Sequence, residues 1–590
     1  MTWRNRSGAL AAVVIVGATL WRAVLVASSY FNQDDFYLSA RAYAADLNLA
    51  FLTQDTAGHV NPMQQLTYWL VARAAPYDWP VVATFIVGMH LVGAILMWHV
   101  LTRLLPGRWV RIPLLVVFVS SPLTLATSLW WSAAMGLWPH VLMSLTAVLF
   151  LLRADQNAGR GWVNVLGCLA AVVMGLLWHE RAVLIAPTLF GVAVVLADDH
   201  RGWRRLTAAL RRHKPLWGSL ALLLPAYLVT HSLLATVEGG GSQVGQALRI
   251  SWSFVVENVV TGLASGPWVA DLQGGAVQPH AWVSVTSVFV ALGLAVLLVR
   301  RGGPSARWAL VFLAAYVVAD LALVLGGRGG FGRVIGLDPR YSSDVVHVAV
   351  LAAALGLRGS PRHFGLAFER AVTWTRVRTI ALTIGTAAYL VGAAFGTAQL
   401  VPHFQNQADR EYVTTFRADL AADPTVTLVD DLLPAEVVLP LVGEDSTLSR
   451  VFAPLPEAPP FDQPSPRLRR ADETGRLLPL VLAGAIPMKP GPVEDCGYAV
   501  RTAPMRVELL VDLAAAFVMR VGYFTDTEST VEVSAGPWQT QFLARSGPNE
   551  IWIPVPAEAG DVDAITFSAA PGVVVCVASL EAGLPVASEE

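Results

Sequence analysis

The stretch GALAAVVIVGATLWRAVLVASSYFNQDDF, residues 8–36, is a long apolar run that ends in two adjacent acids, Asp34 and Asp35. About 20 mainly apolar residues, each rising about 1.5 Å, cross a hydrocarbon core about 30 Å thick. The run is therefore read as a membrane-crossing helix that delivers an acidic pair to the water edge. It is too long, and too continuous with the residues after it, for a cleaved signal peptide, and no small-x-small cleavage site stands out at its end. It is kept as a retained helix.

Working outward, similar runs recur near 80–102, 112–129, 137–152, 162–178, 182–197, 216–236, 281–299, 308–326, 342–357 and 379–400. Together they predict about eleven transmembrane helices. Composition agrees, because 55% of the 590 residues are hydrophobic and 14% charged, where a soluble chain carries about a quarter charged. An odd number of spans sets the two ends of this sequence on opposite sides. Lys and Arg in short loops favour the cytoplasm. With the N-terminus inside, the inner loops, from Arg4 to Arg378, hold 21 basic residues and the outer ones seven. The expected localisation is thus the cell membrane, multi-pass, with a cytoplasmic N-terminus and an extracytoplasmic C-terminal domain. The segment 360–378, with Arg362, Arg370, Arg376 and Arg378, is expected to lie along the inner leaflet as an amphipathic helix.

Residues 1–400 carry 29 Lys and Arg against 16 Asp and Glu, and the remainder 12 against 27. A basic membrane part joined to an acidic soluble part offers no nucleic-acid surface. After residue 402 the apolar runs shorten. MRVELLVDL, FVMRVGYF, TVEVSA, TQFLA, NEIWIPV, AITFSA and VVVCVASL succeed one another at short intervals, the pattern of a β-sandwich. The expected fold class is an α-helical polytopic membrane domain followed by an extracytoplasmic mixed α/β to β-sandwich domain. Its domains would be 1–400, a linker and small α/β region at 401–490, and a jelly-roll-like sandwich at 491–590. The proline-rich stretch 454–466 reads as a linker. Cys168 lies in an apolar run and reads as a small buried hydrophobe. An outer placement of the soluble domain makes a Cys496–Cys576 disulfide reasonable, since oxidising compartments preserve such bonds.

Several polar residues stand where chemistry at the outer boundary would need them. Asp34 or Asp35 would remain ionised beside water while facing a lipid-borne reactant, or would simply cap a helix beginning at Phe36. LLWHERAVLIAP places His179, Glu180 and Arg181 together, and GGRGGFGRVIGLDPRYSSD places Arg328, Arg333 and Arg340 in one short outer loop, against the positive-inside bias. Ion pairing is the bland account: Arg181 with Glu180 or a neighbouring carboxylate, Arg340 with Asp338 or Asp344. His59 would contact an acceptor or a metal, or be a turn histidine. Asp320, inside a span, needs a partner that the sequence does not name. Trp130, Trp131 and Trp138 read as an interfacial belt. A divalent cation (Mg, Mn or Ca) at the acidic pair is left open. No GxxxxGK[ST], HExxH, CxxC or GxSxG pattern occurs, so ATP-driven transport, zinc proteolysis, thiol redox and α/β-hydrolase chemistry have no sequence support.

The span followed by QDDF, with this topology, resembles the GT-C class of integral membrane glycosyltransferases that use polyprenyl-phosphate sugars. The Ala, Val, Arg and Gly usage is similar to the actinobacterial cell-envelope type. The resemblance implies a hexosyl- or pentosyltransferase that transfers its sugar with inversion. The donor would be a sugar on a polyprenyl phosphate, and the acceptor an envelope glycan, glycolipid or protein. It implies that Asp35 or Asp34 is the general base, with Asp35 slightly favoured. Arg340, Arg181, His179, Arg328 and Arg333 are the candidates for the donor phosphate. The rival readings are a carrier or flippase for lipid-linked saccharides and a membrane scaffold with a glycan-binding outer domain.

Overall fold

The computed structural model describes residues 3–156, 161–197, 200–236, 241–358 and 368–588. They form two compact units, one of Met1–Asp35 and Ala44–Asn406, the other of Phe36–Tyr43 and Gln407–Glu590.

The first unit is helical. Among the described residues, eight helical stretches are long and apolar enough to cross a membrane: Ser7–Ala27, Trp79–Leu104, Arg111–Ser128, Trp131–Asp155, Gly161–Trp178, Lys214–Leu234, Ala281–Phe331 and Ile380–Ala422, the last continuing past the end of this unit at Asn406. The expected runs at 182–197 and 342–357 are the shorter helices Ile185–Leu196 and Val345–Arg358. The runs at 281–299 and 308–326 lie in one continuous stretch, Ala281–Arg328, which kinks at Gly303. There φ is +58° and ψ −134°, a backbone conformation open to glycine and closed to side chains. The inner-leaflet helix expected at 360–378 lies outside the described residues up to 367, and from Phe368 the backbone is helical.

Two breaks interrupt the helical unit. Helix Arg111–Ser120 stops at Ser121, held extended by the following Pro122, which opens the helix Pro122–Ser128. Arg22 of the first helix, fully buried, fills this break through Val119 O (3.3 Å), Thr124 Oγ1 (3.1 Å) and Ser128 Oγ (3.3 Å). Farther on, a π-helical turn at Ser253–Val260 precedes a hairpin of β1 (Ala270–Gln273) and β2 (Ala276–Pro279). Its Gly274–Gly275 turn, with φ +53° at Gly274, suits a two-residue connection.

The tryptophans expected at the interface are instead in the core, Trp130 being 7% exposed, Trp131 1% and Trp138 0%. Their rings find partners within the bundle: Trp131 on Tyr68, Trp138 against His90 and Phe118. An indole N–H tolerates water, but nothing requires the ring to meet it.

The second unit includes helix Gln407–Ala422 and a short strand β3 (Thr427–Leu428) parallel to β4 (Leu468–Ala471). The later strands are β5 (Leu477–Pro487), β6 (Tyr498–Val500), β7 (Met505–Leu513), β8 (Phe517–Thr525), β9 (Ser529–Ala535), β10 (Trp538–Ala544), β11 (Gly547–Val555), β12 (Val562–Ala569) and β13 (Val575–Ala587). One sheet has the order β10-β9-β12-β7 and the other β11-β8-β13-β5-β4-β3, with β6 also on β13. Alternate residues such as Val507, Val521, Val533, Ile553, Ile565 and Val577 point into one shared core, which is what period-two patterning demands of a two-sheet sandwich. Each β-rich run read from the sequence is a strand. The stretch 454–466, expected as a linker, is ordered: Leu428 donates to Pro460 O at 3.0 Å, and Ser465 exchanges backbone bonds with Trp552. Proline there removes donors without preventing edge pairing. Cys496 and Cys576 are joined, Sγ to Sγ 2.05 Å, and Cys168 is free and buried.

Candidate active site

Helix Asp34–Ala44 begins a few residues after the first span, and its first two residues face different surroundings. Successive side chains on a helix diverge by about 100°. Asp35 points inward and is fully buried. Its Oδ1 accepts from Tyr68 OH (2.9 Å) and from Ser132 N (2.9 Å), the latter at the N-terminus of helix Trp131–Gln156, and its Oδ2 accepts from Asn32 N (3.0 Å). The last contact closes the turn that leads into the helix. Burial lifts the Asp35 carboxyl to about 7, against the pull of these donors. The preceding turn is seated on an aromatic bed, Phe31 meeting Tyr77, Trp79 and Trp131 edge-on at 5.6, 5.3 and 5.8 Å.

Asp34 is half-buried and its Oδ2 lies 4.0 Å from Arg340 Nη1. Burial raises its carboxyl above the usual range, while Arg340, His59 and Arg328 oppose that rise. Arg340 is locked from three sides. Asp338 Oδ2 takes its Nε (2.8 Å) and Nη2 (2.6 Å), Asp338 Oδ1 takes its backbone N–H (2.9 Å), and its guanidinium lies 3.8 Å over the Trp130 ring. The hairpin tip adds a wall: a Cβ on Gly275 would stand 2.6 Å from Asp338 Oδ2 and 3.4 Å from Arg340 Nη2. Despite the cost of burial, Asp338 holds Arg340 more firmly protonated than a free arginine.

Arg181 is the second buried cation. Its Nη1 donates to Asp344 Oδ1 (3.1 Å) and to Arg340 O (3.0 Å), and its Nε faces Asp320 Oδ1 at 3.7 Å, which names the partner that Asp320 lacked in the sequence. Asp344 is braced in turn by Tyr316 OH (2.5 Å). The ion-pair partners weighed for Arg340 resolve to Asp338, and those for Arg181 to Asp344 and Asp320.

A third group surrounds Glu180. His59 Nδ1 lies 2.8 Å from Oε1 and His179 Nδ1 3.3 Å from Oε2. Arg328 Nη2 donates to Ala57 O (2.6 Å) and to His59 Nε2 (2.7 Å). Burial works to raise the Glu180 carboxyl, but His179 and His59 overcome it and hold Glu180 well below the ordinary carboxylate range. Burial lowers His179 to about 4. Among the described residues this trio is the one group of three or more His, Cys, Asp and Glu whose donor atoms converge, all within 4.8 Å, and the Asp34–Asp35 pair has no third such ligand beside it. Arg333 lies apart from these groups in its bonding, paired with Glu257 (2.9 Å) and Ser253 (3.0 Å) on the π-helical turn.

Of the residues singled out in the sequence, Asp34, Arg340 and Arg181 are thus linked, with His59, His179 and Arg328 gathered around Glu180. Asp338 and Trp130, which hold Arg340 in place, were not read as site residues. Asp338 was legible from its spacing, two residues before Arg340, whereas Trp130 was not.

No family model matches the sequence, and no curated protein does. Solved structures do match. One is the arabinofuranosyltransferase AftD from Mycobacteria, at 13% identity and a TM-score of 0.39, covering 97% of this chain and 58% of that one. Another is ArnT from Cupriavidus metallidurans bound to undecaprenyl phosphate, at 13% identity and 0.43, covering 78% of this chain and 93% of that one. The chain therefore spans little more than half the length of the AftD chain it matches.

Proposed function

We propose that this chain is an inverting GT-C-type membrane glycosyltransferase. It would take a sugar from a polyprenyl phosphate and place it on a hydroxyl of a cell-envelope acceptor at the extracytoplasmic face. The observation that carries this reading is the 4.0 Å approach of Asp34 to Arg340, a carboxylate and a fixed cation side by side in a partly open setting.

The chemistry needs both charges. Asp34 takes the proton of the acceptor hydroxyl as its oxygen bonds to the anomeric carbon, and the bond from that carbon to the phosphate oxygen breaks with its electron pair leaving on the phosphate. Arg340, and Arg181 behind it, meet the charge that develops there. Because burial raises the Asp34 carboxyl, it is a stronger base than a solvated aspartate. Asp35, with both oxygens already accepting, serves to fix the turn that aims Asp34. This assigns the base to the first acid of the pair, where the sequence reading leaned to the second. The outer-face setting rests on the loop-charge bias, and support for a lipid phosphate comes from the two caged arginines.

The test is transfer by membranes or purified protein from a panel of labelled polyprenyl-phosphate sugars. Removing a general base costs roughly 10²- to 10⁴-fold, so Asp34→Asn should lose activity on that scale while keeping its thermal unfolding profile. Full transfer by a folded Asp34→Asn variant overturns the assignment.

A further inference from the structure

We propose that His59, His179 and Glu180 bind a divalent transition-metal ion of the zinc type, and that the ion and the Arg328–His59 hydrogen bond exclude one another. Two imidazoles and one carboxylate form a borderline-soft set suited to such ions and leave a coordination position open. Ligand atoms around a tetrahedral zinc are spaced roughly 3.4 Å apart, given bonds of about 2.0–2.1 Å. Here His59 Nδ1 and His179 Nδ1 lie 2.8 and 3.3 Å from the two Glu180 oxygens, and all three donors fall within 4.8 Å. Small ring movements therefore suffice.

Two separate backbone segments hold the ligands, one carrying His179 and Glu180 and the other His59. His179 caps the 3₁₀ turn Glu180–Leu184, its Nδ1 accepting from Arg181 N at 3.2 Å. Its ring is bedded on Gly136, where a Cβ would come within 2.9 Å of Cδ2. His59 closes a turn that pairs Thr56 with His59, with Gly58 at φ +85° and its N–H capped by Asp55 at 2.9 Å. His179 Nδ1 has a single lone pair, now engaged by Arg181 N, and lies 3.3 Å from Glu180 Oε2; an ion bound through Nδ1 takes that lone pair and displaces the Arg181 N–H. The Asn61 side-chain amide reaches the same oxygen at 3.3 Å, and satisfies it when its nitrogen faces in.

Exclusion follows from counting protons on His59. A guanidinium only donates, so His59 Nε2 accepts from Arg328 and Nδ1 carries the proton given to Glu180. A metal on Nε2 takes the lone pair that Arg328 uses. A metal on Nδ1 sends the proton to Nε2, leaving the ring's proton count unchanged but turning two donors against each other across 2.7 Å. By either route Arg328 leaves the ring, and the ion thereby frees a cation from a residue that also bears electrostatically on Asp34.

The experiment uses the full chain, purified without a histidine tag, in detergent or nanodiscs. Zn²⁺ and Mn²⁺ binding is measured by calorimetry and by metal analysis after dialysis, with no dependence on sugar transfer. One ion per chain is expected for Zn²⁺, with affinity lowered in Glu180→Gln and in His59→Asn by more than the roughly 10- to 100-fold that losing a residue bracing a ligand costs. Arg328→Gln should instead bind more tightly, because the competitor is gone. X-ray absorption at the zinc edge of the unaltered protein should show imidazole nitrogen and carboxylate oxygen, so the test survives a variant that fails to fold. The proposal is overturned by the absence of stoichiometric binding, by a shell without imidazole, or by an Arg328→Gln affinity equal to or below that of the unaltered protein. None of these results bears on whether Asp34 is the base.

Discussion

Adjacent aspartates at the mouth of a helix meet different surroundings because a helix turns about 100° between them. The folded chain holds a proton on Asp35 up to about pH 7, whereas the unfolded carboxyl loses it near 3.8. The native state therefore binds more protons between about pH 4 and 7, and this group's contribution to stability falls as pH rises through that window. Asparagine has no such proton to lose. Asp35→Asn should thus gain on the unaltered protein as pH goes from 4 to 7, read as melting temperatures in detergent; a difference independent of pH would contradict this. His179 acts with the opposite sign: burial depresses it to about 4, so its contribution is complete above about 6.5 and lost as pH falls toward 4. At this scale the sequence made the acidic pair and the arginines at 181, 328, 333 and 340 visible, since charges at the end of an apolar run are conspicuous. It left the facing of Asp34 and Asp35 undecided, because that depends on Tyr68 and Ser132, the latter 97 residues away. The Glu180 cluster was hidden for the same reason, His59 lying 121 residues from its carboxylate partner.

Among the elements, the hairpin β1–β2 was not foreseen, since two strands of four residues leave little trace in a sequence. Yet its turn fits against the carboxylate that holds Arg340. Gly275→Ala would drive a methyl group to 2.6 Å from Asp338 Oδ2, so either the turn or the Asp338–Arg340 lock must shift. The expected outcome is a severalfold weakening of polyprenyl-phosphate binding, measured by lipid crosslinking, with little change in melting temperature; unchanged binding would show that the turn yields instead. The long helices were legible from length and hydropathy alone. Their breaks were not, although Gly303–Pro304 and Ser121–Pro122 both carry residues that interrupt helices.

Taken whole, the molecule joins a helical unit and a β-rich unit in one chain, and each part announced itself by a different hydrophobic period, near 3.6 in one and 2 in the other. The sandwich carries a cross-link spanning 80 residues of sequence. Replacing both Cys496 and Cys576 by Ser should lower stability of that unit by about 2–5 kcal/mol, seen as faster amide exchange along Val575–Ala587 in the full chain. Unaltered exchange would mean that strand pairing alone suffices. In the helical unit, the carbonyl of Arg340 accepts from Arg181, 159 residues earlier. Neither arginine can therefore be removed without disturbing the other's setting, and losses from single replacements will overlap instead of summing. Mutational scans of this protein should treat the two as one inseparable unit, and only the double replacement gives the size of what they do together.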